Sequence, residues 1–396
     1  MMHRLLFSIL FVLCLSSCHK ADHNMLDVES DVEAPLDSLF GSMFGPREPG
    51  AVVGVVYEGR ALYLGGFGLA RLDTGEPFTD STSTNIVSAT KMFTSTAVMK
   101  LVEQGRLSLY QTLDDFFPDF KSPVFKKITI RNILSHTSGL PDKRPKNRAE
   151  WRFYLLKHES QFGRERDYML YGRENEMIRF FETVDSLENE PGTVFSYQDP
   201  PFMLLKTVIE KAAGMPFEKY MADSIFGPAG MSETVFFDPD KYPDNMAHGY
   251  TRPDSDVDEE TFVSRDGRWA EYDYGESPFF ATSADRGIFT TSRDYFKWLK
   301  AYTSKTISTK GLEKRRQWQI GTQMPDVGYG LGMFVEDREG FPYKCFHMSN
   351  NGGFSIYQCY YPDHDLFMFV FSNRPDWDRL EIGHKIDDIF RRIGWI

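Results

Sequence analysis

From Lys91 to Gln104 the chain contains no Gly or Pro and consists mainly of Ala, Met, Phe, Leu and Val. That pattern predicts a helix in the interior of a domain, ending at Gly105. It opens on Ser88-Ala89-Thr90-Lys91. Residues three apart on a helix are neighbours, so the Ser88 hydroxyl and the Lys91 amine are expected side by side. As a mere cap the pair makes little sense, because a capping box wants Glu or Gln at the third position and a cation in the first turn opposes the helix dipole. Ser88 is therefore a candidate nucleophile and Lys91 a candidate base. The same spacing at Ser17 and Lys20 has no such helix behind it.

With 396 residues, 41% of them hydrophobic and 15% aromatic, the chain has material for a large core. Mean hydropathy of -0.40 reads as soluble and globular. A net charge of -12 argues against nucleic acid and against an electrostatic hold on anionic lipid. No Cys/His cluster has zinc-site spacing and no Gly-rich phosphate loop occurs, so no metal or cofactor is expected.

Residues 1–17 read as a removable leader. His3 and Arg4 precede an apolar run, residues 5–15, too short to span a bilayer. The run ends in Leu15-Ser16-Ser17-Cys18, similar to a bacterial lipobox, which implies cleavage before Cys18 and lipidation of its sulfur. An ordinary secretory signal is the alternative. Either way export is expected; the first reading also anchors the protein by lipid to a membrane, facing the periplasm or the cell exterior. Residues 18–35, acidic and polar, read as a flexible tether. Cys345 and Cys359 then remain as two expected buried free thiols, because strand pairs often miss disulfide geometry.

A short helix is expected around residues 36–44. Residues 51–57 and 61–67 are apolar, β-rich runs joined at Glu58-Gly59-Arg60, a hairpin signal. Four more strand-like runs, 329–335, 343–349, 354–361 and 366–372, precede a closing helix over 376–393 with Ile382, Ile386, Ile389 and Ile393 on one face. Between these ends the pattern is mostly helical, with an amphipathic helix over 202–213 and an aperiodic acidic loop over 250–278. Residues 144–190 are expected to be helical. The fold class expected is α+β: one antiparallel sheet flanked by helices (36–85 and 320–396) plus a mostly helical lobe (86–319).

Gly105-Arg106-Leu107-Ser108-Leu109, Ile128-Thr129-Ile130-Arg131 running to His136-Thr137-Ser138-Gly139-Leu140, Pro191-Gly192 running to Phe195-Ser196-Tyr197, Phe226 to Met231, Ala284 to Asp294, and His347-Met348-Ser349 followed by Asn350-Asn351-Gly352-Gly353 complete a pattern begun by Ser88 and Lys91. The chain resembles the serine β-lactamase and penicillin-binding-protein-like hydrolases, a family that includes class C β-lactamases, D-Ala-D-Ala carboxypeptidases and related esterases. The resemblance runs over about residues 36–394.

It implies a β-lactamase/transpeptidase-like fold and a cleft in which Ser88 attacks, Lys91 accepts its proton and Tyr197 serves as base or proton shuttle. By the same resemblance the backbone N–H groups of Ser88 and Asn350 would hold the oxyanion, and His347 would face the substrate. His136 falls in a segment that the family uses structurally. Two positions depart from the family pattern. Asp199 replaces an Asn, substituting a charged acceptor for an amide donor; it is expected to hold Lys91 protonated, and Asp199→Asn to raise β-lactam acylation. Ser349 replaces a Gly and is expected to narrow the cleft. His347 is expected to titrate near neutrality and to tune activity with pH. The function implied is an exported serine hydrolase acting on an ester, amide or D-amino-acid-containing substrate, either a small molecule or cell-wall-derived. The alternative is a non-catalytic member binding peptidoglycan fragments. An α/β-hydrolase is disfavoured because no Gly-x-Ser-x-Gly occurs.

Overall fold

The computed structural model describes residues 31–141, 173–238, 241, 243–252, 267–271, 282–304, 306–307 and 314–396. The leader, Cys18 and most of the expected tether lie outside the described residues, as do large parts of 144–190 and 250–278. In chain order, the elements that position the site begin with α1 (Glu33–Met43), β1 (Ala51–Tyr57), β2 (Arg60–Phe67) and α2 (Thr90–Glu103). There follow α3 (Asp199–Ala213), α4 (Ser292–Thr303), β3 (Ile320–Gly321), β4 (Val327–Tyr329) and β5 (Phe334–Glu336). The chain closes with β6 (Lys344–Asn351), β7 (Phe354–Tyr361), β8 (Leu366–Ser372) and α5 (Arg379–Arg392).

The strands form one antiparallel sheet in the order β3-β4-β5-β6-β7-β8-β1-β2. The two chain ends meet where Ala51 lies opposite Ser372 and Tyr57 opposite Leu366. Glu58 and Gly59 both have positive φ, 50° and 72°, the two-residue hairpin geometry whose twist suits the flanking strands. Alternation divides the core. Along β8, Leu366, Met368 and Val370 pack on the side of α1 and α5, whereas Phe367, Phe369 and Phe371 pack on the opposite face. On that opposite face β1 has no side chain at Gly54: a Cβ there would lie 2.4 Å from the Phe369 ring and 2.8 Å from that of Phe296 on α4. The small residue is what lets α4 lie close against the sheet.

α2 is buried from Thr90 to Met99. Its apolar side packs Phe93 against Trp298 of α4, ring centroids 3.9 Å apart. Its polar side chains are satisfied by backbone carbonyls of neighbouring segments: the Thr94 hydroxyl donates to Ala284 O at 2.7 Å and the Ser95 hydroxyl to Leu331 O at 2.6 Å. A helix with no wet face thus joins the two parts of the molecule without orphaned hydroxyls. On the far face of the sheet, Lys344 is buried between Asp387 of α5 at 2.8 Å and Glu336 at 3.0 Å, which ties α5 to β5 and β6.

Several boundaries differ from the sequence expectation. The run 329–335 is not one strand: it turns at Gly330 to Met333, giving β4 and β5, and Gly332 in that turn has φ 88° and lies where a Cβ would come within 2.8 Å of the Ser95 Cβ. α1 starts at Glu33, earlier than 36, since Val32 and Leu36 are both fully buried. α3 starts at Asp199 rather than 202; Pro200 and Pro201 sit in its first turn, where a missing N–H costs nothing. At the ends of the 250–278 loop, Tyr250–Thr251 pairs with Ala270–Glu271. The described part of 144–190 includes a helix, Arg173–Glu182. Cys345 and Cys359 are buried and free. Cys345 lies opposite Tyr360 and Cys359 opposite Phe346, so alternation sends the two thiols to opposite faces of the sheet. Burial pushes both up to about 12, which makes them poor nucleophiles.

Candidate active site

Ser88 is presented by a strained turn. Val87, the residue before it, has φ 46°, a conformation that a β-branched side chain strongly resists. Asn85 over-determines it: its Oδ1 accepts from Val87 N–H at 2.7 Å and its Nδ2 donates to Arg286 O at 3.0 Å. A short 3-10 turn, Val87–Ala89, then runs directly into α2. Ser88 is buried, and its backbone N–H points at β6, donating to Ser349 Oγ at 3.2 Å.

Lys91 is fully buried one turn on. Its Nζ donates to Ser88 Oγ at 3.1 Å, to Asp199 Oδ1 at 2.7 Å and to Asp285 O at 3.2 Å, so all three ammonium hydrogens have acceptors. Burial pulls the Lys91 pKa down, but Asp199, Tyr197 and Asp285 outweigh it and leave the group above the ordinary lysine range. Asp199 in turn pairs through Oδ2 with Arg286, whose Nε also donates to Asp285 at 3.0 Å. Two cations and two carboxylates therefore sit together beneath the nucleophile.

Tyr197 lies under this cluster, with Lys91 Nζ 5.3 Å from its ring centre. Its hydroxyl is buried and, among the described residues, has no well-formed hydrogen bond. Burial raises its pKa while Lys91 opposes the shift. The segment bearing it is pinned from both sides by His136: Ser196 N–H donates to His136 O at 2.9 Å, and Gln198 N–H donates to His136 Nδ1 at 3.2 Å. The His136 ring also lies 4.3 Å from that of Tyr197. Because Nδ1 accepts, the neutral ring carries its proton on Nε2. Burial, with Lys91 nearby, holds its pKa well below the usual value.

On β6, His347 is fully buried and, among the described residues, neither ring nitrogen has a well-formed hydrogen bond. Burial first, and Lys91 second, push it down to about 3. The expectation that it tunes activity near neutrality is thereby corrected: the ring is neutral throughout the physiological range, and a low-dielectric wall rather than a solvated cleft surrounds it. Asn350 is exposed, opposite Ser355, one residue beyond the Ser349 contact. The structure thus brings Ser88, Lys91, Tyr197 and Asp199 into one cluster, with His347 and Ser349 along its β6 side.

A sequence model of the Beta-lactamase family matches residues 36–389. This chain belongs to that family. It is 27% identical over 332 residues to a penicillin-binding protein of Bacillus subtilis (strain 168), a match covering 80% of this chain and 66% of that protein. The chain thus spans just under two thirds of that relative's length. It is 24% identical over 330 residues to the D-alanyl-D-alanine-carboxypeptidase/endopeptidase AmpH of Escherichia coli (strain K12), covering 78% of this chain and 76% of AmpH. Among solved structures it is similar to an octameric penicillin-binding protein homologue from Pyrococcus abyssi, with a TM-score of 0.72 and 25% identity over 92% of this chain and 78% of that one. The α+β fold of a Beta-lactamase family member was thus legible from sequence.

Four contributors to the Ser88 cluster went unread in the sequence. Asp285 and Arg286 lie in the quoted 284–294 segment, and an adjacent acid and base ahead of an apolar strand was an available signal for buried charge. Asn85 and Val87 left no comparable signal, since a positive φ at Val is invisible in a one-dimensional string.

Proposed function

We propose that the chain is an exported serine hydrolase that forms an acyl-enzyme on Ser88 with an ester, amide or D-amino-acid-containing substrate. The observation that carries this reading is the buried Lys91 amine 3.1 Å from Ser88 Oγ, in a site where no structural cap calls for it. In acylation Ser88 Oγ bonds to the substrate carbonyl carbon while its proton passes to Lys91 in its neutral form. In this reading Tyr197 relays that proton to the leaving group as the carbon–leaving-group bond breaks. Water then attacks the ester by the reverse proton path and frees Ser88. The Ser88 N–H, at the positive end of α2, supplies one donor for the oxyanion.

The test is direct. The protein is incubated with a fluorophosphonate and, separately, with a fluorescent penicillin, and adducts are mapped by mass spectrometry. An adduct on Ser88 is expected from at least one reagent; none from either would overturn the reading. Ester cleavage without penicillin hydrolysis would assign the esterase branch of the substrate class. Export rests on residues 1–17 and the Cys18 motif. Cys18→Ala is expected to move the protein from the membrane to the soluble fraction, and unchanged fractionation would remove the lipid anchor from the proposal.

A further inference from the structure

Along β6 the side chains of Cys345, His347 and Ser349 share one face, the alternate residues Phe346 and Met348 the other. Cys345 packs in the core on the α2 side and Phe346 in the core beneath α1 and α5. Ser349 therefore faces the nucleophile by register. Its hydroxyl oxygen accepts the Ser88 N–H at 3.2 Å. Within the acyl-enzyme reading, on which this inference rests, that N–H is a donor meant for the oxyanion. In the resting site it already has an acceptor, built into the chain.

We infer that Ser349 is a specificity-determining residue whose hydroxyl occupies the oxyanion donor and has to be displaced by each incoming carbonyl. A carbonyl that binds exchanges one hydrogen bond to Ser88 N–H for another, so it loses the net gain that an open donor would provide. The displaced hydroxyl stays tethered through its Cβ. It can only rotate about χ1, into space beside the acyl group, and larger acyl groups meet it first. The residue therefore lowers reactivity towards all carbonyls and discriminates against bulky ones. A glycine at this place on the strand would do neither.

Ser349→Ala removes the hydroxyl and keeps the Cβ; Ser349→Gly removes both. The experiment measures the second-order acylation rate of Ser88 by p-nitrophenyl acetate and p-nitrophenyl hexanoate, with melting temperatures as a control. Ser349→Ala is expected to accelerate the acetate roughly two- to tenfold, the span of one net hydrogen bond, and the hexanoate by more, since the hydroxyl that larger acyl groups meet is gone. Ser349→Gly is expected to add a further gain confined to the hexanoate. A structural role would not produce acceleration at unchanged melting temperature. If wild type acylates on Ser88 and neither variant is faster, the inference is overturned, and a slower Ser349→Ala would mark the hydroxyl as a donor to the oxyanion instead. If wild type forms no Ser88 adduct with either ester, the acyl-enzyme reading itself fails. The Gly variant decides the case should the Ala variant not fold.

Discussion

Ser88→Ala is expected to lower ester turnover by roughly 10^4- to 10^6-fold, and Ser88→Ala combined with Lys91→Met to lower it no further. The reason is that the two side chains do one job. Apart from Ser88, the hydrogen bonds of Lys91 go to Asp199 and to the Asp285 carbonyl, neither of which touches a reacting bond. Lys91→Met alone is expected to cost nearly as much as Ser88→Ala, because a serine hydroxyl with no amine at 3.1 Å is a poor nucleophile. Met keeps the buried volume, and Arg286 still pairs with Asp199, so the variant should fold. The check is kcat/KM for the two single variants and the double. Losses that multiply would mean that Ser88 and Lys91 act independently, which their hydrogen bond excludes in the proposed mechanism.

What could be read from the chain before its structure was what alternation, periodicity and a few punctuating residues encode. The hairpin at Glu58-Gly59, the three long strands β6 to β8 and the interior character of α2 all follow from residues whose neighbours in sequence are their neighbours in space. The failures share a cause in the opposite sense. The run 329–335 is broken at Gly332, where Ser95, far away in sequence, leaves no room for a Cβ. The protonation of His347 was misjudged because it is set first by burial and then by Lys91, neither of which is written in the sequence of β6. Asp199 was legible as a departure from the family's Asn, but its meaning was not. Only the fold brings Arg286 to its second oxygen and turns a lone charge into half of a balanced set.

That balance leads to an acylation rate that climbs with pH. Lys91 is held above the ordinary lysine range by Asp199, Tyr197 and Asp285, against burial and Arg286. Tyr197 is held above its own range by burial. The base form of either group is thus scarce at neutrality, and the rate should rise about tenfold per pH unit, roughly 10^3-fold from pH 6 to 9, as one proton is lost. His136 and His347 also face the cluster but are neutral across that window, so neither bends the profile. Asp199→Asn removes the foremost influence raising Lys91. Its acid limb should therefore move to lower pH and its activity near neutrality should rise, for esters as well as for β-lactams. The gain has a structural cost. Arg286 keeps Asp285 at 3.0 Å but loses Asp199, and the charged hydrogen bonds given up are worth about 2 kcal/mol. The sign of the linkage fixes how that loss depends on pH. A lysine whose folded pKa is raised contributes its stabilisation fully below the unfolded value and forfeits it only as pH climbs through the folded one. The destabilisation of Asp199→Asn should accordingly stay constant with pH as long as the variant's Lys91 is protonated, and should ease together with the activity advantage where that lysine loses its proton. Acylation rates and denaturation midpoints measured from pH 6 to 9 report the two. A wild-type profile that is flat between pH 6 and 9, or an acid limb unmoved in Asp199→Asn, would show that neither Lys91 nor Tyr197 is the base whose deprotonation limits attack.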